Sequence, residues 1–181
     1  MLTLYAPDGE AAVAGISCWR STYSTQGEGF ALAFWSDPGA VGMADLPSFA
    51  VFADNAALGR MVMTRFNQHF TGYKDLGLAD AAPQQARFLQ QFDGPRLHRV
   101  TCAADGLSIE IVWRDVLDAA LEHFDNQSGS ARFDVVTVIC PCRAGTITVN
   151  GVPLPGEVRL PEGEKTSSAF LAFSETWIAH E

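Results

Sequence analysis

The clearest hydrophobic pattern in the chain is an alternation of apolar and polar positions in two neighbouring segments, RLHRVTC (96–102) and LSIEIVWRD (107–115). Between them lies Asp105-Gly106, a dipeptide that favours a two-residue hairpin loop with a type I′ turn. Because side chains alternate between the two faces of a strand, this loop length fixes which residues share the apolar face. The predicted cross-strand pairs on that face are Ala104–Leu107, Cys102–Ile109, Val100–Ile111 and His98–Trp113.

Short apolar runs bounded by turn residues continue along most of the chain, which predicts about ten short strands. The segment 132–140 is apolar on both faces and therefore predicts a central strand of a sheet. The other predicted strands comprise residues 2–6, 14–24, 29–36, 48–53, 86–92, 145–149, 152–154, 157–160 and 167–179.

Helical periodicity is found in one longer segment, which follows Asp54-Asn55, residues suited to cap a helix N-terminus. Its apolar face comprises Leu58, Met61, Val62, Phe66, His69 and Phe70, and Gly72 is the expected end. A second, short helix is predicted over 116–124, with Asp115 as its N-cap.

Long alternating strand–helix–strand units are missing, which argues against a parallel doubly wound sheet. The predicted fold is mainly β, an antiparallel barrel-like or strongly curved sheet with one amphipathic helix packed on it. The length of 181 residues is ordinary for one domain with a real core, so we expect a single domain over 1–181.

The charge balance narrows the range of partners. With 12 basic and 21 acidic residues, the net charge is −9, and no basic run offsets it. Nucleic acid and anionic membrane surfaces are therefore not expected as partners. The N-terminus lacks the basic and apolar regions of a signal peptide, so we expect a soluble, cytoplasmic protein. Its four cysteines, Cys18, Cys102, Cys140 and Cys142, are then expected to be reduced thiols.

Motifs that would identify an enzyme class or a cofactor are absent from the sequence. We find no P-loop, no dinucleotide-binding GxGxxG, no HExxH and no EF-hand loop. The segment Gly15-Ile16-Ser17-Cys18-Trp19 departs from a GxSxG nucleophile elbow at its last position. We therefore predict no cofactor, and whether the protein is an enzyme stays open.

The element Cys140-Pro141-Cys142 permits two interpretations. Residues two apart in a strand point the same way, so both sulfurs could face one metal ion or take part in redox chemistry. The favoured alternative is a strand that ends at Pro141, with a turn at Arg143-Ala144-Gly145 and thiols that behave as small apolar groups. No metal is predicted on this interpretation.

His98 is the preferred site candidate, because a histidine on an apolar face titrates near neutral pH and lies where a barrel would hold a ligand. The predicted ligand-binding residues are His98, Trp113, Cys102 and Ile111. Arg96 and Asp115 lie toward the same end of the hairpin and are candidate catalytic partners of His98. The alternative is a structural histidine with satisfied hydrogen bonds, beside an Arg–Asp pair that closes a sheet edge.

Three functions remain open at this level. The first is a binding module for a small apolar or aromatic ligand, favoured by the many aromatic side chains. The second is an acid–base hydrolase or isomerase that uses His98, Asp115 and Arg96. The third is a domain that forms homodimers through an exposed sheet edge such as AFLAFSETW (169–177).

Overall fold

The computed structural model describes residues 1–8, 11–65, 73–78, 80–125, 133–160 and 167–179. Within these ranges the chain is mainly β, with twelve strands and one helix. The elements are β1 (Leu2–Tyr5), β2 (Ala12–Tyr23), β3 (Gly29–Ser36), β4 (Phe49–Ala53), α1 (Ala56–Arg65), β5 (Gln84–Gln85), β6 (Arg87–Asp93), β7 (Leu97–Ala104), β8 (Leu107–Val116), β9 (Ala120–Asp125), β10 (Phe133–Val149), β11 (Val152–Pro153) and β12 (Phe170–Ala179). The predicted fold class is confirmed.

The order of the strands makes the sheet barrel-like. It runs β5-β4-β3-β2-β12-β10-β8-β7-β6, with β1 beside β2 and with β9 and β11 beside β10. Its first and last strands, β5 and β6, are consecutive in the chain and are separated by Ala86, whose N–H donates to the carbonyl of Ala53 at 2.9 Å. The strand order therefore returns to its starting point. Among the strands that the structure describes, the β2–β12 and β4–β5 pairs are parallel and the other pairs are antiparallel.

The main apolar core lies between two walls of this curved sheet. Leu32 and Phe34 of β3 belong to one buried cluster with Val100 of β7 and with Ile109 and Ile111 of β8. Each of these five side chains is at most 2% exposed. Burial of an apolar side chain of this size contributes roughly 1.5–3 kcal/mol, so this cluster is a main source of the free energy of folding.

Helix α1 packs on the outer face of the wall formed by β3 and β4. Its N-terminus is capped by Asn55, whose Oδ1 accepts the N–H groups of Ala57 and Leu58 at 3.1 and 3.2 Å, as predicted. The side chains of α1 form a second buried cluster with residues of β3 and β4, namely Ala31, Ala33, Val51, Leu58, Met61, Val62 and Met63. The predicted continuation of the helix, with Phe66, His69 and Phe70, lies outside the described residues.

The central hairpin has the predicted register. All four predicted pairs, from Ala104–Leu107 to His98–Trp113, are directly opposed residues of β7 and β8. The predicted turn type is wrong, because a type I′ turn needs positive φ at both central residues. Only Gly106 has it, at 71°, whereas Asp105 does not. The loop length alone therefore sets the register.

The predicted strand end at Pro141 is wrong, because β10 continues through it to Val149. Before Pro141 the strand pairs with β9 and β12, and after it with β8. The N–H that proline lacks falls where the neighbouring strand is interrupted between β8 and β9. Flanking bonds persist: the Cys142 N–H donates to Ala169 at 2.8 Å, and the Pro141 carbonyl accepts from Leu117 at 2.9 Å. The predicted turn over residues 143–145 is likewise part of β10.

The short helix predicted over 116–124 is also wrong. The chain there forms the end of β8 and then β9, which pairs with β10 from Ala120–Ile139 to Asp125–Asp134. Asp115 is not a helix cap; it lies in β8 with a φ of 56°. Backbone pairing with the long strand β10 outweighs the weak helical spacing of Leu117 and Leu121.

The segment predicted to be an exposed edge, 169–177, is instead internal. It forms most of β12, which pairs with β10 on one side and with β2 on the other. The residue before β12, Ala169, also bridges to Leu2. Because β12 lies between two other strands of the sheet, it is not the exposed edge that was predicted.

Candidate functional site

His98 lies on the inner face of the curved sheet, at one end of the central core. His98 is 2% exposed to solvent. Its ring contacts Trp113 edge-on, with centroids 5.6 Å apart at 68°, and Phe92 of the neighbouring strand β6 at 5.8 Å. Strands β6 and β8, on either side of β7, thus each place an aromatic ring against this imidazole.

Phe92 marks the end of the inner face of the sheet that meets solvent. It is directly opposite His98 in the β6–β7 pair, and directly opposed residues share a face of the sheet. Although it faces inward with the buried His98, Phe92 is 58% exposed. We call this end of the inner face the mouth and define it by six residues that are linked by contacts: Arg20, Phe30, Phe88, Gln90, Phe92 and His98.

A polar chain crosses the mouth from the rim to the buried imidazole. The Arg20 guanidinium of β2 donates to Oε1 of Gln90 on β6, and Nε2 of Gln90 lies 3.1 Å from Nε2 of His98. Arginine can only donate, so the amide oxygen of Gln90 must face it and the amide nitrogen must face His98. Nε2 of His98 is therefore the acceptor, and the imidazole is neutral with its proton on Nδ1.

The surroundings of His98 favour that neutral form. Burial lowers the pKa of His98 from 6.5 to about 4, and the positive charges of the chain's N-terminal amine and of Arg20 add to the effect. At neutral pH the imidazole is thus uncharged, and its Nε2 atom accepts the hydrogen bond that holds Gln90 in one orientation.

Aromatic rings form the remaining wall of the mouth. Phe30 of β3 and Phe88 of β6 stack across the two walls, with centroids 5.0 Å apart and ring planes at 7°. The guanidinium carbon of Arg20 lies 5.5 Å from the centroid of Phe30. Both phenylalanines are half-buried and pack against the core, so the mouth combines flat apolar surface with one cation and one amide.

The predicted ligand-binding residues other than His98 lie deeper. Cys102, Ile111 and Trp113 belong to the central apolar cluster and are at most 2% exposed. The Trp113 indole N–H donates to the backbone carbonyl of Met1 at 3.1 Å. These three side chains lie in the buried core, whereas His98 contacts Gln90 and so belongs to the polar chain of the mouth.

The predicted catalytic partners of His98 lie outside this arrangement. Arg96 and Asp115 are exposed and are linked through the backbone, where the Asp115 N–H donates to the Arg96 carbonyl at 3.1 Å. In the described part of the chain, no ion pair joins their side chains. The positive φ of Asp115 breaks the alternation that would have placed its side chain beside Trp113.

The two cysteines of the Cys-Pro-Cys element are buried members of the core. Cys140 is 4% exposed and Cys142 is fully buried, and the Cys142 thiol donates to the Cys140 carbonyl at 3.3 Å. Burial raises the pKa of both thiols, that of Cys142 to about 12. Within the residues that the structure describes, no group of three or more His, Cys, Asp or Glu side chains is arranged to hold a metal ion.

Sequence reasoning missed Arg20, Gln90 and Phe92. A local signal existed for Gln90 and Phe92, since a register for the predicted β6–β7 pair would have placed them on the face of His98. For Arg20 no local signal exists, because its place depends on how two distant parts of the sheet face each other. The aromatic residues lie in two separate clusters. Phe30, Phe34 and Phe52 pack in the central core, whereas Trp19, Trp35 and Phe49 pack in the second cluster, with α1.

The description of the chain is completed by its lack of a membrane-spanning helix in the described residues and by three comparisons with known proteins. None of the helices formed by the described residues has the length and apolar character needed to cross a membrane. Searches against protein-family models, curated proteins and solved structures find no match to this chain.

Proposed function

We propose that the protein binds a small apolar or aromatic molecule at the mouth. The observation that carries this proposal is Phe92, an inward-facing aromatic side chain that is 58% exposed beside a buried imidazole. An apolar ligand that covers this ring would remove its surface from water, which favours binding by roughly 25 cal/mol for each Å² of apolar surface buried.

The composition of the mouth supports the same proposal. Small-molecule sites are mostly apolar and aromatic and carry a few polar groups that fix the orientation of the ligand. Here the apolar part is Phe30, Phe88 and Phe92, and the polar part is the chain from Arg20 through Gln90 to His98. The amide and imidazole hold each other in place, so little ordering is needed when a ligand binds.

The test uses indole as a neutral aromatic probe in isothermal titration calorimetry. Wild-type protein is compared with Phe92→Ala and with Leu89→Ala, a matched control on the same strand. Leu89 is 73% exposed and lies opposite Thr101, on the outer face of β6. Loss of the inward aromatic ring should weaken indole binding about tenfold, whereas the control should bind as the wild type does.

Two outcomes would contradict the proposal. One is an absence of indole binding to the folded wild-type protein. The other is equal weakening by Phe92→Ala and Leu89→Ala, which would place the probe somewhere other than between the walls. Far-ultraviolet circular dichroism of each variant confirms that the proteins compared are folded.

A second candidate function, self-association, rests on β9. Among the described residues this strand pairs only with β10, and Leu121 on it is 74% exposed. Two copies paired antiparallel about the midpoint of Glu122 and His123 would set a carboxylate of one opposite an imidazole of the other, a favourable cross-strand pair. The expected occupant of this edge is therefore a second copy of the chain.

Sedimentation velocity over a range of protein concentrations tests this second candidate. The wild type should form a dimer, and Leu121→Glu should shift it to the monomer because, in this register, the new carboxylate lies diagonally across from Glu122 of the second copy, a like-charge pair. The control Leu89→Glu places the same charge on an equally exposed leucine of β6 and should leave the dimer intact. A wild-type monomer at all concentrations would rule out this candidate.

A further inference from the structure

We infer that the ligand of the mouth is an aromatic carboxylate and that Arg20 is the residue that selects it. This inference rests on the proposed function, since it names the chemical class of the molecule bound there. The inference concerns Arg20. Binding to the apolar surface of the mouth would not by itself require a positive charge at this position.

Arg20 is an exposed cation on the inner face of β2. It follows Ala14, Ile16 and Cys18 at intervals of two residues, and these three side chains face the central core. A guanidinium has five N–H donors, and Arg20 makes one hydrogen bond, to Gln90, in the described part of the chain. The remaining donors are available to a ligand that enters between the walls.

Arg20 makes no ion pair with a carboxylate of the described residues. In the described residues the one ion pair is Arg99–Glu110, at 3.4 Å, on the outer face of β7 and β8. Asp54 contacts the neighbouring strand, where its Oδ1 accepts the Phe30 N–H at 2.7 Å, and it forms no ion pair with Arg20. Within the described part of the chain no carboxylate pairs with the guanidinium at the mouth, so its charge is available to an external anion.

A carboxylate attached to an aromatic ring matches the positions of these groups. Guanidinium and carboxylate form two parallel hydrogen bonds, which are stronger than the single bond to a neutral amide oxygen. Phe30 lies under the guanidinium and stacks on Phe88, so the ring of the ligand would meet aromatic surface next to its anchored acid group. Because the whole protein carries a net charge of −9, a preference for an anion must arise locally.

The test compares benzoate with benzamide, which has the same shape and no charge, by calorimetry at neutral pH. Wild-type protein should bind benzoate about tenfold more tightly than benzamide. Arg20→Gln should abolish this preference, so that benzoate and benzamide bind with equal affinity, and Arg20→Lys should restore part of it. The control Arg99→Gln removes an arginine from the outer face and should keep the full preference.

The outcomes separate this inference from the proposed function. Equal affinity of the wild type for benzoate and benzamide would overturn the role of Arg20 and leave an aromatic site in place. Binding of neither probe, together with no binding of indole, would contradict both. Ionic strength gives a readout that needs no variant, because added salt should weaken benzoate binding and leave benzamide binding unaffected.

Discussion

His98 on β7 and Trp113 on β8 form a directly opposed pair, with ring centroids 5.6 Å apart and planes at 68°. Trp113 and Phe92 shield the imidazole on two sides, and Gln90 meets its Nε2 atom. The imidazole in these surroundings is neutral, and its Nε2 atom accepts a hydrogen bond from the amide nitrogen of Gln90. The amide oxygen of Gln90 then faces the guanidinium of Arg20. The electrostatics of the mouth therefore depend on one buried pair.

The first prediction concerns the pH dependence of stability. The folded-state pKa of His98, about 4, lies below its unfolded value of 6.5, so between these values the unfolded chain binds the proton more readily. The stability that this histidine contributes is complete above the unfolded pKa and is lost as the pH falls toward the folded one. We expect a loss of roughly 3 kcal/mol as the pH falls through this window, measured by urea unfolding at a series of pH values.

A matched pair of variants assigns that loss. His98→Gln keeps an acceptor for Gln90 and removes the titration, so its stability should vary less with pH in this window. His123→Gln removes an exposed histidine of β9 and should keep the wild-type dependence. The same pH dependence in both variants would mean that His98 does not titrate as its surroundings require.

The second prediction concerns the reactivity of the thiols. Burial raises the pKa of Cys102 and Cys142 to about 12 and also raises that of Cys140, so these thiols are rarely ionised at neutral pH. In native protein a thiol-specific reagent should modify the half-buried Cys18 first, and the other three should react only after unfolding. Mass spectrometry of tryptic peptides after timed labelling identifies each site. Fast labelling of Cys140 or Cys142 would show that β10 opens at Pro141.

The third prediction concerns the contact between α1 and the sheet. In an exposed helix, replacing glycine with alanine stabilises by about 1 kcal/mol. At Gly59 the sign should reverse, because a Cβ there would lie 2.6 Å from that of Ala53 and 3.3 Å from the Pro83 ring. We expect Gly59→Ala to lower the free energy of unfolding by roughly 1–3 kcal/mol.

The Ala53→Gly background provides the control for this contact. It removes the methyl group that the new Cβ would meet, so Gly59→Ala should cost less there than in the wild type. Equal cost in both backgrounds would locate the strain elsewhere. The comparison is a double-mutant cycle, and the coupling between the two changes measures the close approach directly.

The sequence predicted the parts of the fold that local rules determine. The pairing of His98 with Trp113 follows from a loop length and a period of two. The Asn55 cap follows from the chemistry of one side chain. The pairing of β9 with β10, and the passage of β10 through Pro141, depend instead on which distant strands are adjacent. Spacing such as that of Leu117 and Leu121 suits a helix locally, but the strand partner outweighs it.

The same distinction between local rules and contacts of distant strands applies to the residues of the candidate site. His98, Trp113, Cys102 and Ile111 were predicted to share an apolar face, and they do. The prediction for Arg96 and Asp115 assumed that side chains keep alternating between the two faces up to the end of the hairpin. The positive φ of Asp115 ends this alternation. The contact of Arg20 with Gln90 joins residues 70 positions apart in the chain, so no local pattern could have indicated it.

Binding at the mouth can be observed residue by residue in a proton–nitrogen correlation spectrum of labelled protein, recorded during a titration with indole. We expect the largest shifts at the backbone amides of Arg20, Phe92 and His98 and at the side-chain amide of Gln90. The outer-face residues Leu89 and Thr101 should change little. Shifts that map to the outer face, or a spectrum that indole leaves unchanged, would contradict the proposal that the mouth between the two walls is a binding site.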